Sequence, residues 1–337
     1  MSAADLERQI LVVGGAGYIG SVLTRDLLAA GHRVRVLDSL LYGNGGSLAA
    51  VAEHPGFEFA RGDVRSADQV RAAVEGVGEV VLLAALVGDP VCKGSPELAE
   101  QTNVGGARNL IDASAEAGVE RFVFASTCSN YGLRTDEPAT ETDELHPLSL
   151  YAETKVQMEG ELLERARHAS FEATVLRVAT AYGISPRMRF DLTISEFTRE
   201  LALGRALEVY DADTWRPYCH IADTSAAIAL VLESAPELVS GEVFNVGGAG
   251  GNYTKRMVVE TALAALDGEG EVVFTEGGAD ARNYRVSFEK ISERLGFSPR
   301  HTVPGSVERL VEAIRSGVFD SVEADPLLYL NYELSGR

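Results

Sequence analysis

The chain predicts a doubly wound α/β fold, a parallel sheet with crossover helices joined to a smaller mixed α/β lobe. Three observations predict it. Short β-branched runs alternate with longer helical periods from residue 9 to about residue 180, a glycine-rich turn joins the first run to the first period, and after residue 180 the rhythm turns irregular. The strands read QILVVGG, RVRVLD, FEFARGDV, EVVLLAA, RFVFAST and ATVLRVAT. Between them, residues 21–30, 96–117 and 151–168 carry apolar side chains at helical spacing with charges on the other face. Later helices are expected at 192–203, 223–234, 256–266 and 306–315, interrupted by short strands and Gly/Pro turns. This divides the chain into a first domain over residues 1–180, to which 217–246 returns, and a second lobe over 181–337. No linker separates them, so a shared cleft is expected.

Composition narrows the function. The 337 residues are 46% hydrophobic, enough for a large core, and the net charge of −20 repels polyanions, so nucleic acid is not an expected partner. Cys92, Cys128 and Cys219 are far apart and outside any CxxC spacing, which reads as reduced thiols. The six histidines form no HExxH-like pair, so no metal site is expected. MSAADLERQI is charged and short before the first strand, unlike a signal or transit peptide, and the longest apolar run, VVLLAALVG, is about half of a membrane span. A cytoplasmic protein with no membrane partner is the expectation.

The first strand runs into Gly14-Gly15-Ala16-Gly17-Tyr18-Ile19-Gly20 and then a helix. Glycines at 14, 17 and 20 permit a tight turn, close backbone approach to a pyrophosphate and close helix–strand packing. Asp38 closes the second strand, where a carboxylate accepts hydrogen bonds from an adenosine ribose and would oppose a 2′-phosphate. Together they predict a Rossmann-type domain that binds NAD. Asp63 and Val64 at the end of the third strand are placed for adenine, and Leu83, Ala84 and Ala85 at the end of the fourth for the nicotinamide ribose.

Tyr151 and Lys155 form a YxxxK pair on one helix face, in a chain with only four lysines. A phenol with an ordinary pKa of about 10 is a poor base at neutral pH, and a neighbouring ammonium favours its phenolate. Lys155 can also hold the nicotinamide ribose. The Thr127 hydroxyl, ending the fifth strand, can bridge to the oxygen that Tyr151 deprotonates.

These residues resemble the extended short-chain dehydrogenases, in particular the nucleotide-sugar epimerases and dehydratases. The resemblance runs through GGAGYIG, Asp38, GDV, LAA, the Ser/Thr-rich strand end before YG, YAETK, WRPYCHIADTSAAI and GEVFNVGG. It implies a nucleotide-sugar substrate, with Arg216 and Arg282 on its diphosphate and Tyr210 against its base. It further implies Ser126 and Val178 beside the cofactor, and Val87, Thr127, Cys128, Thr180, Asp191 and Leu192 beside the substrate. Thr180 and Asp191 depart from the asparagines usual in the family. A homodimer through helices 96–117 and 151–168 is also implied.

The family's common first step is a 4-keto sugar, and its fate depends on the residues after Thr127. The 4,6-dehydratases resemble Thr-Asp-Glu there and the glucuronate decarboxylases Thr-Ser-Glu, whereas this chain has Thr127-Cys128-Ser129. The 3,5-epimerising relatives place their acid–base cysteine one position later. A 4-epimerase, needing only small residues beside the threonine, is the best fit. A decarboxylase, a ketosugar reductase or dehydrogenase, and a non-catalytic dinucleotide sensor are the alternatives, and a catalytic thiol at Cys128 stays open.

Overall fold

The computed structural model describes residues 9–134, 137–169, 171–278 and 280–331, and every structural statement below concerns these. The stretch MSAADLER and residues 332–337 lie outside them.

Six parallel strands follow the predicted runs: β1 (Gln9–Val13), β2 (Arg33–Asp38), β3 (Phe57–Arg61), β4 (Glu79–Leu82), β5 (Arg121–Thr127) and β6 (Glu172–Val178). Past them come β7 (Thr180–Tyr182), β8 (Leu207–Tyr210), β9 (Trp215–His220), β10 (Glu242–Val246), β11 (Asn252–Thr254) and β12 (Val272–Thr275). The main sheet has seven strands in the order β10-β6-β5-β4-β1-β2-β3. The seventh comes from GEVFNVGG, which pairs in parallel with β6. Chain order reverses between β1 and β4, and at such a switch point the loops diverge and leave a crevice at the carboxyl ends of the strands.

Alternation along each strand sends side chains to two cores. Ile10, Val12, Val34, Val36, Val81, Val123 and Phe244 meet helices Tyr18–Ala29 and Ile221–Glu233 on one face. Leu11, Val13, Leu37, Val80, Phe122, Phe124 and Val175 meet Ala67–Val74, Ala107–Ala117 and Leu150–Ala166 on the other. Burial on both faces is why these strands read as continuous apolar runs. In the second lobe β11-β9-β7 and β12-β8 form small sheets. Helices Thr193–Ala202, Lys255–Ala264 and Val303–Arg315 pack there around Ile194, Val209, Val258 and Val307.

Helices Asp89–Gly94 and Glu289–Leu295 were not anticipated, and two further elements differ from expectation in ways that bear on the site. The helix expected over 96–117 is a succession, Pro96–Glu100, a widened π-type turn at Gln101–Gly106, and Ala107–Ala117. Gly106 packs so closely on Val64 that a Cβ would collide with its side chain. Within the same turn Asn103 accepts from Leu86 N at 2.7 Å and donates to Leu86 O at 3.1 Å and Thr154 Oγ1 at 3.3 Å. The widened turn thereby ties the loop after β4 to helix Leu150–Ala166. Helix Ala67–Val74 was not anticipated, although Ser66 and Gln69 have capping-box spacing and Ser66 caps it by accepting from Gln69 N.

Candidate active site

A cavity of about 500 Å³ opens across the carboxyl ends of β1, β2, β4, β5 and β6 and extends to the second lobe. At its centre is the turn after β1. Gly14 adopts a φ of 88° that favours glycine, and a Cβ on Gly20 would strike the Gly14 carbonyl. Asp38 accepts from Ala16 N at 3.0 Å and Leu40 N at 2.8 Å, which orients its carboxylate beside the turn. Burial raises its pKa while these two N–H groups and Arg187 pull it down. Farther along the same wall Tyr42 and Asn44 contribute a hydroxyl and a side-chain carbonyl, both buried and without a hydrogen-bond partner among the described residues. A narrow glycine turn, an oriented carboxylate and unpaired polar atoms fit a dinucleotide, whose phosphates accept and whose ribose hydroxyls donate.

At the other end, Ser149 caps helix Leu150–Ala166 by accepting from Ala152 N at 3.3 Å, so Tyr151 and Lys155 share the face toward β5. Lys155 donates to Ala125 O at 2.7 Å, and its ammonium lies 4.6 Å from the Phe124 ring centre and 5.9 Å from that of Tyr151. Burial pushes Lys155 down to about 8, against the pull of Glu159. Burial pushes the Tyr151 phenol up, with Cys92 and Asp89 adding to the rise, and Arg189 and a hydrogen bond with Thr127 working against it. Protein alone therefore keeps the phenol protonated, and a further positive charge beside it is what would favour the phenolate.

Beneath the pair is a polar network. Glu159, one turn past Lys155, forms a buried ion pair with Arg177 at 2.8 Å, accepts from Asn130 Nδ2 at 2.8 Å and is hydrogen-bonded by Ser126. Arg177 also donates to Tyr131 at 3.0 Å, which in turn donates to Asn245 of β10 at 2.7 Å. Each buried charge has a charged partner and further hydrogen bonds, the condition under which such a network fixes geometry. It sets the distance between the end of β5 and the Tyr151 helix. The spacing YxxxKxxxE was its signal in the sequence.

The second lobe contributes a charged wall. Asp280 bridges Arg216 and Arg282, each of which donates to it at 2.8 Å, and Arg282 also pairs with Asp89 at 3.3 Å. Burial alone would raise the Asp280 carboxyl, but the two arginines hold it well below the usual carboxylate range. Lys255 lines the same wall and donates to Tyr210 O at 2.7 Å. From the segment after β7, Arg187 and Arg189 enter the lining, Arg189 gripping Asp191 at 3.0 and 2.5 Å.

Almost every expected site residue lines this one cavity: Gly14, Gly17, Tyr18, Ile19, Gly20, Asp38, Asp63, Val64, Leu83, Ala84, Ala85, Val87, Ser126, Thr127, Tyr151, Lys155, Val178, Thr180, Asp191, Leu192, Arg216 and Arg282. Two do not. Cys128 is 1% exposed, donates to Arg177 O at 3.1 Å and belongs to the sheet core, so its side chain does not face the cavity. Burial raises its thiol well above the ordinary range, which corrects the idea of a reactive thiol here. Tyr210 is 42% exposed on β8 and outside the lining, because alternation along this strand turns Val209 inward. Tyr42, Asn44, Asp89, Arg187, Arg189, Lys255 and Asp280 line the cavity without having been singled out from the sequence.

One cluster of metal-ligating side chains occurs among the described residues, His220, Asp223 and His301. His220 Nδ1 accepts from Ala222 N, Asp223 accepts from the backbone of Arg300 and His301 and lies 2.9 Å from His301 Nδ1, and the two rings stack at 4.1 Å. Stacked rings direct their lone pairs side by side rather than to a common point, so the cluster is a helix cap and packing motif.

A parallel sheet with this strand order, a glycine turn at the switch point and a Tyr-Lys pair facing it define a dinucleotide-dependent enzyme site. The chain belongs to the NAD dependent epimerase/dehydratase family, whose pattern matches residues 10–247. It is 35% identical to a dTDP-glucose 4,6-dehydratase of Streptomyces griseus over 86% of this chain and 89% of that protein. With a UDP-glucose 4-epimerase of Corynebacterium glutamicum it shares 32% identity over 87% of this chain and 92% of that one. Among solved structures, the dTDP-glucose 4,6-dehydratase DesIV of Streptomyces venezuelae with NAD bound superimposes with a TM-score of 0.85 at 30% identity, covering 95% of this chain and 99% of that one. The cofactor of the family is NAD. No helix among the described residues is long and apolar enough to cross a membrane.

Proposed function

We propose that this chain is a nucleotide-sugar epimerase acting at C4 through a transient 4-keto sugar. The observation that carries the reading is the wall facing Tyr151. Thr127, Ser129 and Thr180 line it with hydroxyls, Cys128 is turned into the core, and neither position after Thr127 offers a carboxylate. Asp89, the acid that reaches the cavity from the segment after β4, pairs with Arg282 through Oδ2 at 3.3 Å and keeps its other oxygen buried without a hydrogen-bond partner among the described residues. Expelling water across C5 and C6 needs an acid and a base beside the threonine, whereas 4-epimerisation needs only room for the ketone to turn.

Bound NAD supplies the reversible hydride acceptor that interconverts a sugar carbinol and a ketone. In this reading the glycine turn and the amides of Tyr18 and Ile19 receive its pyrophosphate and Asp38 its adenosine ribose. Asp63 and Val64 flank the adenine. Leu83, Ala84, Ala85, Ser126 and Val178 surround the nicotinamide ribose. Tyr151 takes the C4 hydroxyl proton and returns it to the same oxygen once the ketone has turned over, Thr127 fixes the reacting oxygen, and Lys155 holds the nicotinamide ribose, its charge adding to that of the oxidised cofactor. Arg216 and Arg282 take the substrate diphosphate, with Val87, Asp191 and Leu192 beside the sugar and its linkage. Residues 1–180 with 217–246 carry the cofactor and 181–337 the nucleotide sugar. The active form is a cytoplasmic homodimer through the helical segments 96–117 and 151–168, its dimeric state checked by light scattering.

Tyr151→Phe tests the mechanism. Turnover should fall about 10³-fold or more, within the range lost with a general base, while NAD affinity stays near that of the wild type. A Tyr151→Phe enzyme with ordinary turnover would end this reading.

A further inference from the structure

Six arginines of the described residues are buried, and five of them, Arg121, Arg177, Arg189, Arg199 and Arg216, are ion-paired with a carboxylate. Arg187 is the exception. It is 4% exposed, and its guanidinium donates to a neutral amide, Asn331 Oδ1, at 2.5 Å and lies 4.9 Å from the Tyr42 ring centre. Asp191 is ion-paired with Arg189, and Asp38, held by two backbone N–H groups, attracts Arg187 without forming an ion pair with it. A buried cation that no carboxylate contacts is costly unless a ligand brings an anion to it. Burial and the adjacent Arg189 accordingly push Arg187 down to about 10.

The segment that carries Arg187 is fastened to the cofactor helix. Tyr18 donates its hydroxyl to Gly183 O at 2.6 Å, Ser185 donates to Tyr18 O at 2.7 Å, and Ser185 and Ser21 hydroxyls meet at 3.1 Å. Met188 and Phe190 pack with Tyr18 and Val22, and Phe190 N donates to Tyr329 O at 2.9 Å. The arginine is thus held against the helix whose first turn borders the glycine loop. Unpaired polar groups accompany it: the Tyr42 hydroxyl can donate to a phosphate oxygen, and Asn44, anchored to Ala16 O at 2.7 Å, has its carbonyl free to accept from a ribose hydroxyl.

We infer that Arg187, steadied by Asn331 and Tyr42, clamps the pyrophosphate of the dinucleotide. This rests on the NAD-site reading above. A 2′-phosphate would also satisfy the cation, but Asp38 beside it opposes that charge.

The test is calorimetric titration of the wild type, Arg187→Ala and Arg187→Lys with NAD, NADP, ADP-ribose and adenosine, with circular dichroism to check folding. Arg187→Ala should weaken NAD and ADP-ribose about 10- to 100-fold, the loss of a charge-assisted hydrogen bond, and adenosine by less than about 3-fold. Arg187→Lys should fall between, and NAD that stays with the wild type through gel filtration should be lost from Arg187→Ala. Unchanged ADP-ribose affinity, or an equal loss for adenosine, would overturn the clamp. So would a wild type preferring NADP whose preference vanishes in Arg187→Ala. A wild type that binds neither NAD nor ADP-ribose would instead remove the cofactor reading on which the clamp depends.

Discussion

Arg177 and Arg187 are equally buried, at 5% and 4% exposure, and their surroundings are opposite. Arg177 faces the Glu159 carboxylate, the Tyr131 hydroxyl and the Glu141 carbonyl, all supplied by the fold. Arg187 faces an amide, an aromatic ring and an open cavity. The first charge is spent on holding β5, β6 and helix Leu150–Ala166 in register. The second is left for something that is not protein. Completeness of partners, rather than burial, separates an arginine that builds the scaffold from one that awaits a ligand.

Stability separates the two arginines most visibly. Glu159→Ala leaves Arg177 buried and unpaired, and urea unfolding should show a loss of about 3–5 kcal/mol. Arg187→Ala removes a buried charge that has no ion pair, so without NAD it should cost less, about 1–3 kcal/mol for the lost hydrogen bond to Asn331 and the contact with Tyr42. Equal losses in the two variants would erase the distinction.

A smaller effect concerns His220, which burial, with a contribution from His301, pushes from 6.5 down to about 4. The folded state holds it neutral while the unfolded chain binds a proton near its ordinary value. Its contribution is therefore complete above about 6.5 and is lost as pH falls toward about 4. His220→Asn keeps an acceptor for the helix cap and should flatten the stability profile in that window. An unchanged slope would assign it to other groups.

The smallest effect is expected at Cys128, whose thiol touches only protein. Cys128→Ser should leave turnover within about 3-fold, as for a substitution that removes no reacting group, and wild-type Cys128 should resist alkylation until the protein unfolds. Rapid labelling of the folded enzyme would contradict its burial.

The fold was legible because parallel strands buried on both faces must be runs of branched apolar residues, and the glycine turn must be glycine. Gly14, Asp38, Tyr151 and Lys155 could be found because single residues at fixed spacing carry their geometry. Arg187 could not, because its meaning lies in the lack of an ion pair, and partners such as Asn331 and Tyr42 are distant in the chain. The pairing of Arg216 and Arg282 through Asp280 was hidden for the same reason. Cys128 was misplaced because a strand end gives way there to a tight turn, and the face of its side chain depends on where the alternation stops.

The most direct test of the whole account is proton NMR of a nucleotide-sugar panel, UDP- and dTDP-glucose among them, turned over by the purified enzyme in D2O. The expected product has unchanged mass, is inverted at C4 and carries no solvent deuterium on its carbon skeleton, because the hydride leaves and returns to one carbon. A product that has lost water and carries deuterium would contradict it, and would give Asp89 the acid–base role that the residues after Thr127 cannot fill.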